Sequence, residues 1–472
     1  MKMYVAGQWI DKPQKIEVRN SYDNSVIDTV PRADRGDIER ALQSAERGAR
    51  AMAKLSGYER WHILKKAAEL IASRTEDLGQ TISKEEGKII AEGRLEASRA
   101  FETIMGSAEE AKRLHGAGVP LDGAPGGAGK VGLTLRVPCG VVVAISPFNF
   151  PLNLVCHKVG PALAGGNAVI VKPATDTPLS ALKLTEVLLE AGLPPEGINT
   201  LTGSGGEIGD LLVADRRVRK ITFTGSRDVG EHICRTAGLK RVTMELGSNA
   251  PVIVMPDADL DKVATAVTST GYANAGQVCI STQRVLTAGR VYGDFLDALK
   301  PKVAALKIGN QLDETVKVGP MVKEKEAVRV QQWIEEAVAS GARLVTGGRR
   351  QGALYEPAIV ADVKPEMRIS ADELFGPAVA VTPFNDIDEA IAMANDSRYG
   401  LAAGIFTENL EWAWKFAREV QSGNLHVNWG PQWRADLMPY GGLKESGFGK
   451  EGPAYAIEEM TELKMVVFHL AT

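Results

Sequence analysis

The chain has 472 residues, 44% hydrophobic and 24% charged, with 55 Lys+Arg against 59 Asp+Glu for a formal net charge of −4. That length supports two or three packed units, because single cores stop growing beyond about 250–300 residues, and the composition is that of soluble globular proteins, not of disordered or fibrous ones. The slight acidic excess sets up no field for a polyanion, which argues against nucleic acid as a partner, and no apolar run approaches the ~20 residues of a membrane span.

Residues 1–17 mix Lys2, Asp11, Lys12 and Lys15 among apolar positions, so they lack the continuous stretch of a signal peptide and a cytoplasmic location is expected. The cysteines Cys139, Cys156, Cys234 and Cys279 lie far apart with no CxxC pair, so reduced thiols and no metal site are expected. After a short β-rich start, Ile38, Ala41, Leu42, Ala45 and Ala49 recur at helical spacing. Ser56 and Glu59 form an S-x-x-E capping box ahead of Ile63, Leu64, Ala67 and Ile71. The stretch GAGVPLDGAPGGAG (116–129) has little side chain to bury and reads as a turn or projecting loop. A phosphate-cradling loop is the other reading, but no strand with a following helix frames it.

From Val141 the texture changes to short β-branched runs, at 141–145, 168–171, 199–201, 220–223 and 242–244, alternating with amphipathic helices. Such alternation builds a parallel sheet wrapped by helices, and ligands then bind beyond the carboxyl ends of the strands. That rule selects Asn149, Lys172, Gly225 and Glu245. Residues of about 250–436 repeat the alternation and read as a second α/β domain, with the apolar run 465–470 as a terminal strand.

Cys279 sits in GYANAGQVCISTQR behind small or polar residues that let backbone approach a ligand closely. Taken alone it reads equally as an inert buried thiol, and Glu245 at the end of RVTMEL as a solvated charge or helix cap. Together, MELGSNAP around Glu245 and GQVCIS around Cys279 resemble the signatures of the aldehyde dehydrogenase superfamily. The blocks SPFNFP (146–151), AGGNAVIVKPA (164–174), FTGSRDVG (223–230), ELFGPA (373–378) and MPYGGLKESGFGKEG (438–452) match that family's motifs in order, so the resemblance spans nearly the whole chain.

The resemblance implies an α/β fold: a Rossmann-like cofactor domain (1–117 and 138–247), a second α/β catalytic domain (248–453) and a small β oligomerisation element (118–137 with 454–472) that makes a homo-oligomer, dimer or tetramer. It implies Cys279 as nucleophile, Asn149 as oxyanion donor and Glu245 as the base that primes water. For NAD or NADP it implies contacts from Ser146, Pro147, Phe148 and Leu246, from Lys172 on the adenosine ribose, and from the turn of Gly225, Ser226 and Gly230 on pyrophosphate. Glu373 would grip the nicotinamide ribose, with Phe375 beside the ring. At Thr175 strongly NAD-selective relatives often carry glutamate, so threonine lowers the barrier to NADP. The other reading of Thr175 is that it merely precedes an Asp176/Thr177 helix cap.

Arg434 and His157 are the expected substrate contacts, with Arg99 a weaker one. The other readings are a surface arginine and a core histidine. The combination resembles the family's branch that handles short aldehydes with hydroxyl or anionic tails, namely lactaldehyde, glyceraldehyde 3-phosphate, succinate semialdehyde, phosphonoacetaldehyde or sulfolactaldehyde, and an arginine fork suits phosphonate, sulfonate or carboxylate. The rivals are a branch that passes the acyl group to coenzyme A, which typically lacks a glutamate at position 245, and a non-catalytic structural protein on the same fold.

Overall fold

All five residues of Val141–Ile145 are buried, the pattern of a strand covered on both faces. In the computed structural model, which describes residues 1–470, this strand lies at the centre of an eight-stranded sheet. Ile198–Thr200, Ala168–Lys172, Val141–Ile145, Val218–Thr224 and Arg241–Glu245 lie side by side in that order, all parallel. Every β-branched run singled out in this half of the sequence is therefore a strand of one sheet. Antiparallel edges close it: the expected β-rich start supplies Met3–Val5 with Gln8–Ile10 on one side, and Gly447–Phe448, which the sequence did not announce, lies on the other.

Helices cover both faces. Asn153–Ala164 is buried along its whole length and packs against Ile90–Arg113. The Ser56/Glu59 box forms as expected, with both reciprocal bonds starting the Gly57–Ser73 helix. Strand order reverses between Val141–Ile145 and Val218–Thr224, whose outgoing connections run to opposite sides, and this opens a crevice beyond their carboxyl ends.

A seven-stranded sheet holds the later half, with Pro251–Val254, Arg284–Ala288, Ala378–Phe384 and Ala402–Phe406 parallel at its centre. The apolar run 465–470 does not join it. Thr461–His469 pairs antiparallel with Lys130–Pro138 over all nine residues, and Gly118–Val119 adds a third strand. The glycine-rich stretch before Lys130 makes that short strand and one helical turn, Leu121–Gly123. Positions 471–472 of the expected tail lie outside the described residues. Among the described residues no helix is long and apolar enough to cross a membrane.

Candidate active site

The crevice at the strand-order reversal is a cavity of about 860 Å³. Its walls include Ser146, Pro147, Phe148, Asn149, Lys172, Gly225, Ser226, Leu246, Glu373 and Phe375, residues drawn from motif blocks far apart in the chain. Ser226 starts the Arg227–Ala237 helix from an extended conformation without capping it by its side chain, which leaves first-turn N–H groups free at the cavity wall. Gly230 does not line the cavity. A Cβ there would stand 2.4 Å from Leu246 Cδ2, so the glycine lets the helix settle on the residue after Glu245.

Lys172 is buried, with Nζ donating to the Pro173 carbonyl at 2.8 Å; burial pushes its pKa down to about 8, against the pull of Asp176. Thr175 stands just outside the lining, its hydroxyl donating to Gly203 O at 3.2 Å, and Asp176 pairs with Lys323 at 2.7 Å. The cap reading of Asp176/Thr177 is not met. The buried Glu85 carboxylate instead accepts from Leu179 N (2.7 Å) and Ser180 N (2.9 Å), holding the start of Leu179–Glu190 from a neighbouring helix.

Glu373 accepts from Ser248 N at 2.9 Å, and burial pushes its carboxyl up to about 7. Phe375 is held at φ 47°, and its ring meets Phe148 edge-on at 5.9 Å. Sequence reasoning passed over Gly205, Gly206 and Gly209 on the opposite wall, although their cluster just beyond a β-branched run was a usable signal.

The loop carrying Cys279 begins with Asn274, Ala275 and Gly276 in the left-handed region, at φ 50°, 52° and 70°. Two glutamates hold it, Glu86 buried and Glu92 half-buried. Glu92 accepts from Asn274 N, and Glu86 accepts from Asn274 Nδ2 at 2.9 Å. Asn149 faces it from the other side, donating one Nδ2 hydrogen to Gln277 O at 2.8 Å, which leaves the second for a ligand. The Asn149 carbonyl accepts from Lys88 Nζ at 2.7 Å, and Lys88 is paired with Glu96 at 2.6 Å, both side chains 1% exposed. The other Glu96 oxygen accepts from Leu152 N and Asn153 N. The sequence reading gave KEEGKIIAEG no role; in the fold its Lys88, with Glu96, clamps the turn that presents Asn149.

Cys279 lines both the large cavity and a second, smaller chamber of about 60 Å³. Its Sγ lies 3.1 Å from the Tyr440 hydroxyl. Burial pushes the thiol up to about 12, with the Tyr440 contact and Arg434 opposing and Glu373 and Glu245 adding to the rise.

In the chamber Glu245, at the end of Arg241–Glu245, is 2% exposed and neither carboxylate oxygen has a protein partner. Burial, and after it the Glu451 charge, holds its proton well above the ordinary carboxylate range, against Arg434, Lys158 and Lys450. Glu451 is kept ionised by Lys158 (3.0 Å) and Arg434 (3.0 Å), and Lys158 also donates to Thr224 at 2.6 Å.

Arg434 lines the chamber with its guanidinium 3.8 Å over the Tyr440 ring and its Nε without a partner. Arg99 lines it too, bidentate on Asp436 at 2.8 and 3.0 Å. His157 does not line it. The ring is buried behind the wall, bonded to Asp436 at 2.9 Å and to Arg434 at 3.2 Å, and burial pushes it down to about 4, which keeps it neutral. Gln432, whose buried Oε1 also has no partner, and Tyr440 complete the wall, and the sequence reading had assigned no role to either.

Comparison with known proteins bears on the same residues. The model of the aldehyde dehydrogenase family matches residues 9–466. A 3-sulfolactaldehyde dehydrogenase of Priestia aryabhattai is 48% identical over 468 residues, covering 99% of this chain and 98% of the relative. The crystal structure of aldehyde dehydrogenase 21 from Physcomitrella patens, in complex with the reaction product succinate, is 39% identical with a TM-score of 0.96 over 99% of this chain and 98% of that one. The glyceraldehyde-3-phosphate dehydrogenase of Methanocaldococcus jannaschii, complexed with NADP, is 35% identical with a TM-score of 0.94 over 98% of this chain and 100% of that one. Motif order, a thiol between two cavities and likeness over the full length agree: the chain belongs to the aldehyde dehydrogenase family.

Proposed function

We propose that this enzyme oxidises a small aldehyde bearing an anionic tail to its carboxylic acid, using NAD or NADP, through a thioester on Cys279. The observation that carries the reading is the position of Cys279 between a cavity of dinucleotide size and a closed chamber that holds an unpartnered carboxylate and a buried arginine. The large cavity fits a dinucleotide: free helix N–H groups at Ser226 suit pyrophosphate, the buried Lys172 and Glu373 suit ribose hydroxyls, and Ser146 Oγ is buried there without a partner.

In the first half-reaction the Cys279 thiolate adds to the carbonyl carbon, forming the S–C bond. The electron pair moves to oxygen, where the free Asn149 amide hydrogen and the Cys279 backbone N–H stabilise it. A bound nicotinamide supplies the acceptor for the hydride that leaves as this oxyanion collapses. In the second, Glu245 takes a proton from water as it attacks the thioester. The S–C bond breaks, the acid departs and the thiolate returns. The unpartnered oxygens of Glu245 are free to hold that water, which favours hydrolysis over transfer to coenzyme A.

Arg434 and Arg99 are the anion anchors of this reading, and the three relatives named above handle a sulfonate, a carboxylate and a phosphate by their names. Thr175 carries no charge and Asp176 is tied to Lys323, so neither presents a free carboxylate to a 2′-phosphate, and NADP is accepted alongside NAD. We further propose that Thr461–His469, with an open edge and exposed Met465, Val467 and Phe468, pairs with a second copy of the chain.

The test is a panel of sulfonated, phosphorylated, carboxylated and neutral short aldehydes, assayed with both cofactors and with or without coenzyme A. Cys279→Ser should abolish oxidation of all of them. Arg434→Ala should raise KM for the anionic members by about tenfold or more relative to propanal in the same variant, the scale of one lost charge-assisted contact. Equal effects on propanal and anionic aldehydes would remove Arg434 from recognition, and coenzyme A-dependent turnover would overturn hydrolysis.

A further inference from the structure

Tyr440 is 3% exposed, and its hydroxyl makes one hydrogen bond to protein, with Cys279 Sγ at 3.1 Å. Burying a hydroxyl is unfavourable unless it finds a partner, and phenylalanine would fill the same space without that requirement. The phenol is also firmly placed. Its backbone N–H and carbonyl exchange hydrogen bonds with Glu451 at 3.2 and 2.7 Å, and its ring lies under the Arg434 guanidinium at 3.8 Å.

Four groups face the sulfur: Glu245 from the end of its strand, Glu373 from the loop before Ala378–Phe384, and Arg434 and Tyr440 from one loop that closes the chamber. The two carboxylates disfavour a thiolate, and Arg434 favours it through space without a hydrogen bond to the sulfur, its NH groups bonding Glu451 and His157. Tyr440 is the neutral donor in contact with the sulfur, and burial holds its proton well above the ordinary phenol range.

We propose that Tyr440 is a catalytic residue whose hydroxyl donates a hydrogen bond to the Cys279 sulfur, stabilising the thiolate that attacks the aldehyde and again the thiolate that leaves the thioester. The proposal rests on the reading of Cys279 as nucleophile. The proton stays on the tyrosine oxygen throughout, so no bond to Tyr440 forms or breaks. Arg434 over the ring makes the phenol a stronger donor, which ties the arginine at the anion end of the chamber to the reacting sulfur.

The size of the effect follows from two opposed terms. Lowering a thiol pKa by one unit raises the thiolate fraction about tenfold wherever the pH lies below that pKa. With a Brønsted sensitivity of about 0.4–0.5, the same unit lowers intrinsic nucleophilicity about threefold. The donor therefore gives a net gain of about threefold.

The experiment is the rate of Cys279 alkylation by iodoacetamide against pH, with the label mapped by mass spectrometry. It uses the full-length wild-type enzyme, Tyr440→Phe, and a variant with 3-fluorotyrosine at 440, a more acidic phenol of nearly the same shape. Alkylation at pH 8 should slow about threefold in Tyr440→Phe, with its pH profile displaced upward by about one unit. The fluorotyrosine variant should shift in the opposite direction, which loss of packing cannot produce. The burst of reduced cofactor should follow the same order. Coincident pH profiles in the three proteins, with alkylation still at Cys279 and still inactivating, would overturn the role of Tyr440. Alkylation of Cys279 that leaves aldehyde oxidation intact would overturn the nucleophile reading and this proposal with it.

Discussion

Glu245 ends its strand inside a chamber where no donor holds either of its oxygens, and burial keeps its proton well above the usual carboxylate range. A base in that condition must lose its own proton before it can accept one from water, so hydrolysis of the thioester should quicken as pH rises through that raised pKa. Glu245→Gln should give one burst of reduced cofactor close to the amount of enzyme and then a steady rate lower by ~10²–10⁴-fold, read by stopped flow. A steady rate equal to wild type would place the base elsewhere. Cys279, Glu245 and Asn149 were legible because each sits in a contiguous motif. The groups that position them were not: Tyr440 is 161 residues from Cys279 and Lys88 is 61 from Asn149. The burial that makes Lys88 and Glu96 an ion-pair clamp is a property of the fold, and no local pattern carries it.

The turn before Cys279 shows how a short segment sets the geometry of the whole site. Gly276 is at φ 70°, and a Cβ there would fall 2.0 Å from the Gly376 carbonyl oxygen, which is backbone and cannot swing aside. Gly276→Ala should displace the sulfur from the Asn149 amide and lower kcat by ~10²-fold, the scale of a misplacement of about 1 Å. Affinity for the dinucleotide should fall much less than kcat, since Phe375 adjoins the disturbed Gly376 but the Ser146–Asn149, Lys172 and Gly225–Ser226 walls come from the other sheet. Fluorescence titration of the cofactor alongside kcat checks this, and an alanine variant with normal kcat would show that the turn tolerates rearrangement. At this scale the sequence was readable where a run was long enough to show its period. Val141–Ile145 and its parallel neighbours were found from β-branched residues, whereas Gly447–Phe448 has too few residues to show alternation. The run 465–470 was recognised as a strand, and its partner Lys130–Pro138 lies more than three hundred residues upstream; no periodicity identifies a partner at that distance, and it was the family resemblance that joined 118–137 to the tail.

Over the whole molecule, Thr461–His469 bonds to Lys130–Pro138 on one side only, and it exposes Leu463, Met465, Val467 and Phe468. Light scattering should therefore give a mass of two or more chains, and Val467→Lys with Phe468→Glu should reduce it toward one, because like-stranded pairing does not tolerate buried charge. An unchanged mass in the double variant would assign assembly to another surface. The chamber has its own division of labour. In the proposed mechanism the reacting thiol, amide and carboxylate come from the two sheets and the loops they anchor, whereas Gln432, Arg434 and Tyr440, which line the chamber, and Asp436, which braces it through Arg99 and Asn153, come from one stretch of nine residues. Arg99 is the exception, joined to that stretch through Asp436. Specificity here is modular in the engineering sense: a graft of residues 432–436 from a relative with a different substrate, with Tyr440 kept at the sulfur, could retune what the enzyme accepts while leaving its chemistry in place. The graft would have to bring partners for Glu451, which would otherwise keep Lys158 alone, and for the part-buried Arg99, since removing one member of a buried ion pair is destabilising. New substrate range in this scaffold is thus acquired in blocks, with each charged residue travelling together with the residue that neutralises it.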